Sequence, residues 1–351
     1  MGGVTQPSRR ATHCLAAALP LCLTALPRCL TAQLAHPAVI RSEFIYAGAP
    51  IPSAHASTIA APPQGLVAAW FGGSHEGADD VAIWLSRQVN GTWTAPVVVA
   101  TGEQADGRRY PCWNPVLAPW PDGSLRLFYK VGPSPARWWG MWIASRDGGK
   151  TWSAATRLPE GILGPIKNKP VRLASGLMVS GSSTESPDQD SRWRIHFELT
   201  ADSGRTWTVA APLPSSSEPD AIQPAILLHQ NGWLQALCRT RSGYIFETWS
   251  IDAGRHWGPL TLTRFPNPNS GIDAVTLSDG RHLLVYNHSR QDRTHLNVAV
   301  SADGRAWQEL LELETEPGEY SYPAIIQARD GLVHITYTWK RERIKHAVVK
   351  P

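Results

Sequence analysis

No run of lysines or arginines occurs anywhere in the chain, although its net charge is +4. A nucleic-acid surface needs clustered basic residues, so that class has no support here. Cysteine is scarce: Cys14, Cys22 and Cys29 sit near the start, which leaves Cys112 and Cys238. Two cysteines cannot build a disulfide framework, and one bridge or two buried thiols are both open. Neither has a histidine nearby to make it a nucleophile. The histidines lack metal-ligand spacing such as HExxH, so no metal or cofactor is required. Charged residues are few at 18%, against 42% hydrophobic, a globular composition that can bury one or two full cores. Helical periodicity is nearly absent.

The first 32 residues read as a secretory signal. Arg9 and Arg10 precede a mainly apolar run from Ala11 to Pro27, and "LTAQ" around Ala32 offers a small-residue cleavage site. Arg28 and two prolines argue against a membrane-spanning helix. The expectation is a secreted or periplasmic protein, free of the membrane after signal removal, with residues 33–351 forming one domain.

A repeat organises that domain. "SRDGGKTW", "TADSGRTW", "SIDAGRHW" and "SADGRAW" start at Ser145, Thr200, Ser250 and Ser301, spaced 55, 50 and 51 residues apart, with a degenerate "SRQVNGTW" at Ser86. An Asp carboxylate can cap backbone N–H groups of a tight turn, Gly supplies positive φ, and the terminal Trp is expected to pack under the next unit. The flanks, such as "LRLFYKV" and "LVHITYTW", alternate as short strands. A hairpin turn recurring every ~50 residues in an all-β chain indicates a β-propeller, and the mature length predicts six blades. Asp147, Asp202, Asp252 and Asp303 are therefore structural and belong on the outer rim.

These repeats resemble the Asp-box, or BNR, repeats of the sialidase (neuraminidase) superfamily. The resemblance implies a six-bladed propeller, three arginines on a substrate carboxylate, an Asp general acid, a Tyr nucleophile and a Glu that activates it. "QPAILLHQNGWLQALCR" matches one arginine strand, with Gly232 at the turn and Arg239 at the arginine, Arg241 beside it, and Gln223 where the Glu belongs. "GEYSYPAII" resembles the nucleophile segment, with Tyr320 as the match and Tyr322 as its neighbour. Arg290 or Arg293 matches a further arginine. The first-strand arginine is missing: His55 falls at its place, and Thr338 stands where its supporting Glu would be.

The loop "WFGGSHEGADDVAIW" follows the first-blade strand, where sialidases place their acid. Asp79 or Asp80 is the better match, and Glu76 is the other candidate. A solvated acidic turn or a structural Ca²⁺ site would read the same way. Lys167 and Lys169 flank Asn168 in "GILGPIKNKPVRL", either as an ordinary surface turn or as an anion site replacing the missing arginine. Lys130, Asn114 and Asn269 lie in stretches too idiosyncratic for blade scaffolding, and inner-strand loops converge on one channel mouth. The set suits an anionic sugar.

Three functions are compatible with this. The leading one is an exo-acting glycoside hydrolase, monomeric, removing a terminal acidic sugar. The second is a lyase or other glycosidase on uronate glycans, with His55 and a Tyr moving protons. The third is a glycan-binding propeller without catalysis.

Overall fold

The computed structural model describes residues 1–3, 38–48, 51–187, 192–214 and 220–351. The chain divides into a unit Met1–Ala35 and a unit His36–Pro351, and the expected signal segment lies outside the described residues apart from its first three. Among the described residues there is no helix, and none long and apolar enough to cross a membrane.

The second unit is a six-bladed β-propeller of antiparallel sheets. Blades I to V begin with the inner strands Ser53–Ala60, Cys112–Pro119, Val171–Arg172, Ala221–Leu228 and Asp273–Thr276. Blade VI takes Tyr320–Gln327, Val333–Trp339 and Arg343–Val349 from the C-terminus and its outer strand, Val39–Phe44, from the N-terminus. This exchange closes the ring, because the last blade cannot form without the first strand.

Each box lies between the third and fourth strands of its blade and is built as expected. Asp147 accepts hydrogen bonds from Ser145 Oγ and from the amides of Lys150 and Thr151. Asp202 accepts from the Thr206 amide, which with the Thr206 hydroxyl holds it down to about 2. The terminal tryptophans differ from expectation. Trp257 of blade IV stacks on Phe197 of blade III at 3.6 Å, and Trp207 of blade III meets Trp120 and Phe128 of blade II. Each wedge packs on the preceding blade rather than the next, because the box glycines bring the turn against that neighbour; a Cβ on Gly148 would strike Gln64 of blade I.

A second six-fold repeat was legible. Every inner hairpin has a positive-φ glycine two residues before its second strand: Gly65, Gly123, Gly176, Gly232, Gly280 and Gly331. At the other end of the channel, four inner strands carry a bulge, at His55/Thr58, Trp113/Val116, Ile222/Ala225 and Ser321/Ala324. Ala56, Asn114, Gln223 and Tyr322 occupy those bulges with positive φ. A non-glycine residue there costs roughly 1–3 kcal/mol, and such strain clusters where side chains must be aimed. Cys112 and Cys238 are separate buried thiols, pushed up by burial.

Candidate active site

The bulges of blades I, IV and VI bring His55, Gln223 and Tyr322 together at one mouth of the channel, and Asn114 sits at the matching bulge of blade II. Tyr322 is the centre of that mouth. Its Oη accepts a 2.6 Å hydrogen bond from Arg239 Nη1 and a 3.4 Å one from Gln223 Nε2. Arg239 also donates through Nε to Asn269 Oδ1 at 2.8 Å and through Nη1 to Gln223 Oε1 at 3.3 Å. The His55 ring lies 4.2 Å from the Tyr322 ring, centroid to centroid. Both His55 nitrogens are buried without a partner. Burial, then the charges of Arg341, Arg293, Arg239 and Lys167, push its pKa well below the usual value. It is a neutral imidazole among cations.

Arg341 and Glu319 escaped the sequence reading. Arg341 follows the second strand of blade VI, and its carbonyl accepts the Ala54 amide at 2.8 Å, beside His55. Its guanidinium reaches Glu76 Oε2 and Glu319 Oε2. Glu319 Oε1 accepts Arg293 Nη1 at 2.8 Å, and Arg293 Nη2 donates to the Asn269 carbonyl at 3.0 Å. Arg293 is thus the mouth arginine of its segment, while Arg290 packs over Tyr244. Three guanidiniums share this mouth with Glu76 and Glu319, and Glu185 lies near Arg239, whose own hydrogen bonds go only to neutral groups. Lys340 and Arg341 are consecutive positive-φ residues in the folded hairpin, a conformation that "TWKRER" does not announce in sequence.

Several expectations change. Tyr320 is buried in the core of blade VI, with its pKa raised by burial. Residues two apart on a regular strand face one way, but the bulge after Ser321 turns Tyr322 to the channel instead. Lys167 is buried, and its ammonium donates to Asn168 Oδ1, the Ile272 carbonyl and the Pro323 carbonyl. An ammonium has three hydrogens, so none is left for a substrate anion. Lys167 instead ties the blade III loop to blades V and VI, and burial lowers its pKa to about 7. Lys169 is held by Asp273 and the Ala274 carbonyl and lines a 330 Å³ cavity with Ile59 and Ile326, toward the other end of the channel. Lys130 is buried and donates to the Pro165 carbonyl, beneath the same loop. Asn168 bonds the Gln223 carbonyl at 2.9 Å. The stretch Gly161–Leu173 is a buried tie between blades, not a surface turn or an anion cradle.

Glu198 completes that tie. It is fully buried and accepts the amides of Leu163 (2.9 Å) and Gly164 (2.6 Å) and His196 Nε2 (2.9 Å). On the acidic loop, Asp80 accepts the Ser74 amide and hydroxyl, so it shapes the turn. Asp79 is exposed and has no partner among the described residues. Glu76 is engaged by Arg341. Arg241 stacks 3.8 Å over Trp193 and pairs with Asp220 on the rim. Asn114 is almost buried, and its amide makes no hydrogen bond among the described residues. No group of three or more potential metal ligands occurs among the described residues.

Fold and site together define a sialidase-like propeller with a cationic, tyrosine-centred mouth. The chain belongs to the BNR repeat-like family, whose model matches residues 64–335. Among curated proteins no sequence match was found. A Dyadobacter fermentans protein of unknown function shares 16% identity, with TM-score 0.75 over 89% of this chain and 99% of that one. A Hadza microbial sialidase shares 16% identity at TM-score 0.71, covering 85% of this chain and 66% of its own. The intramolecular trans-sialidase from Ruminococcus gnavus, solved with oseltamivir carboxylate, shares 14% identity at TM-score 0.69, over 90% and 98%.

Proposed function

We propose that this chain is an exported enzyme that cleaves a terminal acidic sugar from a glycan, as an exo-acting glycoside hydrolase. The observation that carries this is the Arg239–Tyr322 hydrogen bond inside a mouth that gathers three guanidiniums. Arg239 holds the sugar carboxylate, and any negative charge developing on Tyr322 Oη lies against the same guanidinium. In hydrolysis the Tyr322 oxygen bonds to the anomeric carbon as the glycosidic C–O bond breaks. The leaving oxygen takes a proton from an acid of the Ser74–Asp80 loop, with Asp79 the unengaged carboxyl. Water then displaces the sugar from the tyrosine. Gln223 cannot accept the phenol proton in the way a glutamate would. Neutral His55, whose ring lies 4.2 Å from the Tyr322 ring, is the base this reading assigns, with a water relaying the proton because neither of its nitrogens touches Oη.

That substitution favours a second reading. A neutral imidazole and a phenol beside cations suit proton abstraction next to a uronate carboxylate. The base takes the C5 proton, the C4–O bond breaks, a C4=C5 double bond forms, and the leaving oxygen is protonated.

One experiment separates the readings. Purified protein is incubated with a 4-methylumbelliferyl sialoside and, separately, with uronate-containing oligosaccharides. Fluorophore release lost in Tyr322→Phe supports hydrolysis. Ultraviolet absorbance from an unsaturated uronate, lost in the same variant, supports elimination. Binding of the acidic glycans with neither product would sink both and leave a glycan-binding propeller.

A further inference from the structure

At the opposite end of the propeller from the mouth, the inner hairpin turns of blades IV and V enclose a cleft of about 510 Å³. It lies just past Leu228 on the strand that carries Gln223, so about 20 Å of strand separates it from the mouth. Ligand sites typically fall in the range of ~300–1,000 Å³.

Its lining is not blade scaffolding. The residue after the hairpin glycine is Leu66, Ser124, Leu177, Arg281 or Leu332 in five blades, and Trp233 in blade IV. Trp233 is 41% exposed, which a structural tryptophan would avoid. Trp249 forms a second aromatic wall, with Arg305 4.7 Å over its ring. Among the described residues neither indole N–H has a partner, and the Gln230 amide and Arg305 guanidinium make no side-chain hydrogen bond.

The floor is fixed in advance. His229 Nε2 bonds Gln235 Oε1 at 3.1 Å, and Gln235 donates to the Gly304 carbonyl at 2.7 Å, joining blade IV to the box of blade V. His229 and His282 lie 4.3 Å apart, ring to ring, and burial lowers the pKa of both, His282 to about 4. Two neutral imidazoles can sit this close, and each keeps a ring nitrogen for a hydroxyl. Charge is balanced, because Arg281 pairs with Asp279 and Arg305 is matched by Asp303 of the same box.

We propose that this cleft is a second saccharide-binding site, selective for a neutral pyranose unit. The exposed Trp233 indole takes the apolar face of the ring, Trp249, packed against Arg305 and His229, walls the cleft, and planar amides, guanidinium and imidazoles take its hydroxyls. A protein partner would call for a flatter, more continuous apolar patch than two tryptophans set among polar groups. The site would keep the protein on a polysaccharide while the mouth works elsewhere, and it does not depend on the chemistry assigned to Tyr322.

The test is calorimetric titration of the whole protein with cellohexaose, xylohexaose, mannohexaose and maltohexaose. At least one should bind one-to-one, and Trp233→Ala should weaken it by about tenfold, the scale of losing one stacked aromatic. Tyr322→Phe should bind it as the wild type does. Gln230→Ala, an exposed change that cannot unfold the blade, should weaken it by a smaller factor. No binding by any of the four, or equal binding by Trp233→Ala, would overturn the proposal, as would loss of binding in Tyr322→Phe.

Discussion

Glu198→Gln is the sharpest test of how the mouth is held. The wild-type carboxylate accepts three hydrogen bonds in full burial: two from loop amides and one from His196. A glutamine of the same shape keeps one acceptor oxygen and places an NH₂ where the other accepted. One backbone N–H at Leu163 or Gly164 then points at a donor, and leaving a buried donor unmade costs ~1–3 kcal/mol. The surviving bonds lose charge assistance, and Lys130 loses the negative charge that opposes the effect of its burial. The total is about 3 kcal/mol. At ~2 °C per kcal/mol, the low end for large domains, the melting temperature should fall by about 6 °C. The loop also carries Lys167 and Asn168, which tie blade III to blades IV, V and VI, so affinity for an acidic glycan should fall as well. Differential scanning calorimetry at pH 8 reads the first effect, and glycan titration reads the second. Exposed Glu160→Gln serves as the control and should stay within ~0.5 kcal/mol of wild type. If Glu198→Gln melts with wild type and binds as wild type does, the buried tie is not what holds this loop.

Three further outcomes follow from the same geometry. Lys130 and Lys167 are pushed down to about 7 by burial, so between that value and the free-lysine value of ~10.4 the unfolded chain binds more protons than the folded one. Stability must therefore rise as pH goes up through that window, seen as an increasing urea midpoint, and Lys167→Met should flatten the rise. Tyr322→Phe should lower turnover by at least about a hundredfold with little change in melting, whereas Tyr320→Phe should leave turnover near wild type, because only Tyr322 meets Arg239. His55 is held neutral by burial and its neighbours, so an acid limb of the pH–rate profile set by it should lie well below 6.5. Arg341→Met removes the largest of those neighbouring charges, and that limb should move upward.

The propeller was legible because its boxes are local. Ser, Asp, Gly and Trp within eight residues satisfy one another inside one turn, so the pattern survives in sequence. What the boxes touch was not legible, since a tryptophan's direction of packing depends on where the neighbouring blade lies. The same limit explains the tyrosines. Strand alternation puts Tyr320 and Tyr322 on one face, and only a bulge separates them. Its trace was available as an X-Pro step at three of the four bulges, Asn114-Pro115, Gln223-Pro224 and Tyr322-Pro323. The lysines of "GPIKNKP" looked like unpaired charge because the Ile272 and Pro323 carbonyls that hold Lys167 and the Asp273 carboxylate that holds Lys169 lie over a hundred positions away.

The missing first-strand arginine now has a spatial answer. His55 occupies the position, its ring buried between Phe71 and Tyr322, and Arg341 comes in beside it. It arrives from the final hairpin, with its own carbonyl bonded to Ala54 and its guanidinium held by Glu319 and Glu76. An arginine with two carboxylate partners thus stands beside His55, supplied by a different part of the chain. The consequence is chemical rather than structural. An arginine in place of His55 could only attract an anion, because it never gives up its proton. A buried neutral imidazole can accept one. Under the hydrolase reading, a guanidinium at residue 341 would still meet the sugar carboxylate, and the imidazole beside the Tyr322 ring would serve as the base that Gln223 cannot be. Arg341→Met and His55→Phe should therefore fail differently. The first should raise KM for an acidic glycan, and the second should lower kcat with KM nearly intact. Equal loss of both parameters in the two variants would show that His55 and Arg341 are one structural unit, and that no base was gained.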